Sequence, residues 1–436
     1  MNVLLQRCRL MLPDRCVTLL ICLTAVVVSM PRDLLAQSHN EHRTWYFGRN
    51  AGLRFDPSGV VTLSNGAVNT REGCASISAP DGTFLFATDG ITIFDRLGQP
   101  MPNGRNLPGH QSAVQAALIL PWPGRDNQFA VFSVDANENN FENGVTMHRV
   151  DMTMRNGLGD VVERELLLSI ELGESLTAVQ HQNGEDFWIV SRMRSREVYT
   201  CWLLTNAGIS APVQSIITRQ PTRLGAGHIR ASPRGDVIAT VLANHIGLVR
   251  FDNLTGRIDT MVTLPFTASG YGLEFSADGT KLYATEFTTT TVTQWDVSQE
   301  PASIHASRVA IQVFGGAVRL GALQRAPDDR IYVAQEFADG PAPSLSVIES
   351  PNQPAAAAQL RANAIPLGPG RSQLGLPNIV YFSRSGVSAV LESPDTVCAG
   401  TTVIVNVRVN TPGFSTTWTV NENRVPGDSA VSFVAR

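Results

Sequence analysis

Two Asp-Gly pairs stand close together in CASISAPDGTFLFATDGITIFDRLGQ (Cys74 to Gln99): Asp81-Gly82 and Asp89-Gly90. Carboxylates so spaced could hold a divalent cation or work as a general acid and base. The same dipeptides also make hairpin turns, because Gly supplies a positive φ and Asp bonds its own backbone two residues on. Asp135, Asn137 and Asn139 in DANENNFENG alternate like the oxygen ligands of a calcium loop. However, Asn140 stands where an EF-hand places Gly, and Thr146 where it places Glu. That stretch therefore reads as a long hairpin loop, with calcium as the alternative.

Ser76, Arg230, Glu274 and Gln324 fall at equivalent places inside short apolar runs, just ahead of turn residues. A polar position repeating in that way could line a channel. Arg230 and Glu274 could equally satisfy each other, since buried charges are seldom left alone. His228 reads as a structural, hydrogen-bonded histidine rather than a metal ligand, since no ligand spacing lies nearby, and it could belong to the same lining. No C-x-x-C or His/Cys zinc spacing occurs, nor a Gly-x-Ser-x-Gly elbow, nor a phosphate-binding Gly-rich loop. No catalytic residue is nominated, and no cofactor apart from that calcium alternative.

The elements that must position these residues are repeated. EGCASISAPDGTFLFATDGITIFD, VQAALILPWPGRDNQFAVFSVD, LTAVQHQNGEDFWIVSRMRSREVYTCWLL, GHIRASPRGDVIATVLANHIGLVRFD, YGLEFSADGTKLYATEFTTTTVTQWDV and LGALQRAPDDRIYVAQ share one plan. Each is an apolar-polar run, a turn, and an alternating strand, with a third strand in most. This is the period-2 pattern of half-buried strands. The turn residues Gly82, Gly124, Gly184, Gly235, Gly279 and Asp329 recur at steps of about 42 to 60 residues, the spacing of propeller blades. Asp81 and Asp89 are turn residues in this reading. LGLPNIVYFSR (Leu374 to Arg384) looks like one more innermost strand, and Thr44 to Ser64 like outer strands with no inner one before them. One blade built from both ends then closes a ring of seven and removes the open edge. Six blades with a bare C-terminal strand is the alternative.

Charge and export signals narrow the classes. The formal charge is −4 and Lys281 is the only lysine, so no concentrated basic face exists to neutralise phosphates, and nucleic acid is excluded as a partner. Arg7, Arg9 and Arg15 precede the uncharged run VTLLICLTAVVVSM, and Leu34 and Ala36 sit at −3 and −1 of a cleavage site, so residues 1–36 read as a signal peptide. The apolar run is shorter than the roughly 18 residues a spanning helix needs, so no integral membrane segment is expected after cleavage. The mature chain keeps Cys74, Cys201 and Cys398, an odd number; Cys74 and Cys201 read as small buried hydrophobes. Beyond Ser385 the texture changes, and Cys398 followed by Trp418 matches the Cys…Trp pattern of an immunoglobulin-like sandwich. Four or five strands are expected there, fewer than the usual seven or so.

The stretches WYFGRNAGLRFD, EGCASISAPDGTFLFATDGITIFDRLGQPMPNG, GHQSAVQAALILPWPG, VDMTMRNGLGDV, LTAVQHQNGEDFWIV, YGLEFSADGTKLY and LGLPNIVYF together resemble a family of large secreted bacterial proteins associated with gliding motility. Members carry an N-terminal propeller, then immunoglobulin- or PKD-like domains, and commonly a type IX secretion sorting domain. The resemblance covers most of Trp45 to Phe382 and implies export and an interaction role, with no catalytic residues to carry over. The family's later domains and sorting signal do not follow within this sequence, so a fragment, or a domain completed elsewhere, is expected at Arg436.

The expected fold is therefore all-β: a seven-bladed β-propeller with WD/lactonase-like repeats over 44–384, closed by strands from both ends, then a partial immunoglobulin/PKD-like β-sandwich over 386–436. The expected function is an exported, non-enzymatic interaction or adhesion module, secreted or at the bacterial cell surface, whose partners are envelope or extracellular proteins or glycans. A metal-dependent hydrolase of lactonase type is the alternative from another class, because SADGTKLYATEFTTTTVTQWDV resembles the repeat of such propellers, whose metal polarises a carbonyl. A structural spacer in a larger surface protein is the third.

Overall fold

The computed structural model describes residues 40–217, 227–265, 269–287, 290–313 and 318–382, and of the remainder only the strands at 390–392, 402–408, 418–420, 423–425 and 430–434. The signal peptide and Cys398 lie outside the described residues. The chain divides into two units, one spanning Gln37–Phe382 and the other holding the two flanking segments.

The larger unit is a seven-bladed propeller of antiparallel sheets. Blade one holds β1 (Thr44–Phe47), β2 (Ala51–Asp56) and β3 (Gly59–Leu63), and blade two β4 (Ala75–Ser78), β5 (Phe84–Thr88) and β6 (Ile93–Asp95). Blade three is β7 (Ala117–Pro121), β8 (Gln128–Val134), β9 (Val145–Asp151) and β10 (Asp160–Ser169). Blade four is β11 (Thr177–Gln180), β12 (Phe187–Arg192), β13 (Val198–Thr205), β14 (Gly208–Ile209) and β15 (Val213–Ile216). Blade five is β16 (Ile229–Ala231), β17 (Val237–Leu242), β18 (His245–Asp252) and β19 (Arg257–Pro265). Blade six is β20 (Gly270–Phe275), β21 (Lys281–Glu286), β22 (Thr291–Asp296) and β23 (Val309–Val313). Blade seven is β24 (Val318–Arg325), β25 (Ile331–Phe337), β26 (Gly340–Pro341), β27 (Ser344–Ile348) and β28 (Leu360–Pro366). The outermost strands add a fourth rung to most blades that the repeat pattern did not mark, because their residues are largely exposed and lack clean alternation.

Turn chemistry builds the blades. Gly82, Gly124, Gly184, Gly235, Gly279 and Asp329 all have positive φ, between 61° and 88°, at the hairpin leaving each innermost strand. The Asp81 carboxylate accepts from the Thr83 N–H (2.8 Å), and that of Asp89 from Ile91 (2.9 Å) and Thr92 (2.7 Å). Both carboxylates are thus occupied in closing turns over their own backbone. Cores form between blades rather than within them. Ile77, Phe86, Ile119 and Phe129 join blades two and three, and Leu248, Leu264, Phe275 and Trp295 join blades five and six. Trp45 lies edge-on to Tyr332 of blade seven, with ring centroids 5.5 Å apart. Cys74 and Cys201 are free and buried, and burial pushes the Cys201 thiol up to about 12, so both pack as apolar groups.

The closure differs from the ladder expected of Leu374 to Arg384. β17 packs on β20 and β21 on β24, and β1 packs on β4 in the same way, which makes β1 a second strand with the innermost place free. Residues 374–382 take that place without pairing as a strand. The backbone bonds are scattered: Arg49 and Arg371 exchange two (2.9 and 3.0 Å), Ala322 donates to Leu374 (2.7 Å) and Asn378 to Cys74 (2.8 Å). Pro377 supplies the physical reason, since it cannot donate to a ladder. Close backbone approach also shapes the segment. A Cβ on Gly375 would lie 1.7 Å from the Glu72 carbonyl oxygen, and one on Gly321 would lie 2.2 Å from that of Leu374.

In the smaller unit β29 (Val390–Glu392), β30 (Thr402–Arg408) and β33 (Ala430–Val434) form one sheet, and β31 (Trp418–Val420) pairs with β32 (Asn423–Val425). Gly375→Ala should destabilise the propeller by about 3 kcal/mol through overpacking against backbone, read as a lower urea midpoint at unchanged slope. A midpoint within error of wild type would refute the tight closure.

Candidate functional site

Polar side chains from three of the innermost strands, Arg230, Glu274 and Gln324, gather with the chain's own closing segment. The Asn378 side chain is the junction. Its Oδ1 accepts from Gln115 Nε2 (3.0 Å) and Arg230 Nη1 (2.7 Å), and its Nδ2 donates to the carbonyls of Ala117 (3.2 Å) and Leu176 (3.0 Å). With its backbone bond to Cys74, this one residue joins blades two, three, four and five. Gln115 reaches across to blade five, accepting from the Ile229 N–H (2.9 Å).

Three of the four repeated polar positions come together at this junction. Arg230 donates to Gln324 Oε1 (2.6 Å) and to the Leu273 carbonyl (3.3 Å), and its Nε lies 3.7 Å from Glu274 Oε2. Glu274 accepts from the backbone N–H groups of Phe275 (2.9 Å) and Arg325 (3.0 Å), while Gln324 accepts from that of Ile379 (3.2 Å). Burial pulls the Arg230 guanidinium below its ordinary value, and the Glu274 carboxylate opposes the shift. Ser76 lies apart and donates to the Thr44 carbonyl (2.8 Å). Arg230, Glu274, Gln324, Ser76, Gln115 and Asn378 are all buried. The channel at this level is filled, and its lining is bonded to the protein itself.

Asp135, Asn137 and Asn139 belong to the β8–β9 hairpin loop. Asp135 accepts from the N–H groups of Ala136 (2.9 Å) and Asn143 (2.8 Å) and from Asn139 Nδ2 (2.9 Å). Its oxygens therefore face N–H donors, where a cation site would turn oxygens inward.

At the mouth, on the side where innermost strands begin, is a constellation that the sequence reading did not single out. Glu72 and Glu174 each stand three residues ahead of an innermost strand, β4 and β11, a repetition that could have exposed them. Glu72 Oε2 accepts from the buried Tyr271 hydroxyl (2.9 Å), and Glu174 Oε1 from the Asn137 N–H (3.0 Å). Tyr271 stacks on Phe287, with centroids 5.6 Å apart. Burial pushes both carboxyls up to about 7; Tyr271 opposes the shift at Glu72 and the Asn137 N–H opposes it at Glu174, while neighbouring carboxylates add to both. Arg71 is the nearby cation, and it bonds Glu336 (3.2 Å). His228 stands immediately ahead of β16, two residues before Arg230. Its ring lies 5.8 Å from that of Tyr271, and both ring nitrogens are buried; neither makes a well-formed hydrogen bond among the described residues, though the Leu273 backbone favours the protonated ring. Burial, with Arg230 beside it, holds the imidazole well below its usual range, hence neutral. Among the described residues no group of three or more His, Cys, Asp or Glu is placed to hold a metal ion, and no helix is long and apolar enough to cross a membrane.

No protein-family model matches the chain, and no curated protein matches it. Solved structures are similar to it in fold. A putative 6-phosphogluconolactonase from Bacteroides fragilis is 11% identical, with a TM-score of 0.46 over 77% of this chain and 98% of that one. A periplasmic gluconolactonase from Pseudomonas aeruginosa is 13% identical, with a TM-score of 0.40 over 90% and 98%. The Swd1 β-propeller domain of Myceliophteria thermophila is 14% identical, with a TM-score of 0.42 over 69% and 94%.

Two stability outcomes follow from these contacts. Asn378→Ala leaves a buried guanidinium and two carbonyls short of partners, so it should cost about 3–5 kcal/mol in chemical denaturation, far more than an ordinary surface substitution. Glu72 and Glu174 bind protons more tightly folded than unfolded. Their contribution is complete below the ordinary value of 4.5 and lost as pH rises through about 7. Asp56, held down to about 2 by Arg54 and Arg43, contributes in the opposite sense: its share is present above the ordinary 3.8 and lost as pH falls toward 2. Melting temperature should therefore peak at mildly acidic pH, and the double variant Glu72→Gln with Glu174→Gln should flatten the limb between pH 5 and 8. An unaltered limb would assign the pH dependence to other groups.

Proposed function

We propose that this chain is an exported, non-enzymatic propeller that serves as an interaction or adhesion module at the bacterial cell surface or in the medium. The observation that supports this reading is the filled axis. A propeller that works on a small substrate in its channel needs an accessible cavity with convergent polar groups. Here Arg230, Glu274, Gln324 and Asn378 are buried and satisfied by one another and by the backbone. What remains for recognition is the two faces, where loops vary on a rigid disc. The partner class that fits is an envelope or extracellular protein or glycan, and the surface-associated setting follows the sequence resemblance to gliding-motility-associated secreted proteins.

A second reading, a lactonase-type hydrolase, draws on the Glu72 and Glu174 carboxyls, because groups titrating near neutrality suit general acid–base work. One experiment separates the two. Labelled protein is titrated onto envelope fractions of the producing bacterium, either protease-treated or periodate-treated, while the same preparation is assayed on sugar lactones with added divalent metals. The module reading expects saturable binding abolished by one treatment, and lactone turnover no faster than buffer. Turnover with kcat/KM above about 10⁴ M⁻¹s⁻¹ would replace it with the hydrolase.

A further inference from the structure

We infer that His148 is an acid-sensitive latch for the outermost strand of blade three: as a neutral ring it holds the bulge of β10 in place, and as an imidazolium it lets go. This latch is independent of what the faces of the propeller bind. Ladder, tautomer and surroundings all point to it.

In the ladder, β10 pairs with β9 at Glu163 opposite Arg149 and next at Leu166 opposite Met147, so Arg164 and Glu165 fall in a bulge between paired residues. Glu165 has a φ of 61°, a left-handed conformation that costs free energy in a residue with a side chain. Its N–H donates to the ring of His148 instead of to a strand, with Nδ1 accepting at 3.0 Å. That bond fixes the tautomer. A backbone N–H can only donate, so Nδ1 presents its lone pair and the single proton of the neutral ring sits on Nε2. Nε2 lies 3.2 Å from Ser133 Oγ and 3.3 Å from Thr146 Oγ1, so it donates to a hydroxyl and cannot draw a proton from Ser133. Protonation would add an N–H at Nδ1, aimed at the N–H of Glu165, and the bond would become a meeting of two donors. The surroundings offer the imidazolium nothing in return. His148 is buried, and the groups facing it are Ser133 from β8, Thr146 from its own strand and Glu165 from β10. The carboxylates overhead are engaged, Glu163 by Arg149 and Glu165 by Arg164, while Arg164 also bonds the Asn106 carbonyl of blade two (3.2 Å). Burial, joined by the Arg164 charge, holds the imidazole down to about 4, and no carboxylate counters the shift. Residues 162–167 are exposed, so releasing them forfeits little apolar burial. Release uncovers the edge of β9, a row of unpaired backbone groups open to another strand.

Amide hydrogen exchange on the whole protein tests this, read by mass spectrometry over residues 160–169 and corrected for the intrinsic pH dependence of exchange. In the released strand the ring takes its ordinary value of 6.5, and in the latched strand it stays near 4. Opening should therefore be constant above pH 6.5, rise about tenfold for each unit below it, and level off near pH 4 at about 300-fold. Residues 281–286 of β21, which include no histidine, are the reference and should keep their protection across the range. His148→Asn keeps an acceptor where Nδ1 stands but takes up no proton, so its exchange over 160–169 should be flat with pH. His148→Ala removes the acceptor and should exchange fast at every pH; both variants are first checked by melting to be folded. Wild-type exchange over 160–169 that stays flat from pH 7.5 to 4 would overturn the latch, and this result needs no variant. A rise of the same size in His148→Asn, or in the reference strand, would overturn it as well, by assigning the opening to other groups.

Discussion

The architecture depends on satisfying buried polar groups at an axis where seven sheets converge. Innermost strands this close have little room for side chains, yet their carbonyl and N–H groups face one another rather than water, and an unpaired one costs about 1–3 kcal/mol. Asn378 meets that constraint because a primary amide is both donor and acceptor on a short stem. It accepts from Gln115 and Arg230 and donates to Ala117 and Leu176. A leucine there would fill the space but leave four partners wanting. An aspartate would face two carbonyls with no proton to give.

The same accounting explains how an irregular segment closes the ring. Burying Leu374, Leu376, Ile379, Val380 and Phe382 stabilises the closure by about 10 kcal/mol at roughly 2 kcal/mol each, and fixing the backbone of residues 374–382 costs about as much. Apolar burial alone therefore leaves the segment near balance. The bonds through Arg371, Leu374, Asn378 and Ile379 decide that it stays, and they also fix its register, which hydrophobic contacts would not. A strand ladder would have done this with backbone alone. With Pro377 in the middle, side chains from distant blades supply the missing partners.

This division marks what the sequence can reveal. Turn residues such as Gly82 and Asp329 act within a few positions of themselves, so their chemistry can be read locally, and with it the repeat and the ring of seven. The closing role of residues 374–382 was legible as well, but as a strand, because Leu-Pro-Asn-Ile-Val-Tyr-Phe has the right apolar content. Asn378, Gln115 and Arg230 meet from positions far apart in the chain, and no local period records such a junction. Arg230 and Glu274 were visible as a repeated polar position, and the structure places them in a network with Gln324 and Asn378. The mouth was harder still. Glu72 and Glu174 share an offset from their strands, yet they matter together only because the ring brings blades two, four and six around one opening.

The closure and the mouth are also physically one object. The N–H groups of Leu374 and Gly375 both donate to the Arg71 carbonyl, at 2.9 and 3.2 Å, and Glu72 is the next residue. Gly375 lies against the Glu72 backbone so closely that a methyl group would not fit. The segment that completes the first blade thus sets where one wall of the mouth stands, while Tyr271 of blade six holds the carboxyl of that wall from the far side. Any movement of residues 374–382 would displace the Glu72 carboxyl relative to Tyr271. The place of that carboxyl and the integrity of the propeller are therefore linked through a single peptide unit, Arg71–Glu72, rather than through the disc as a whole.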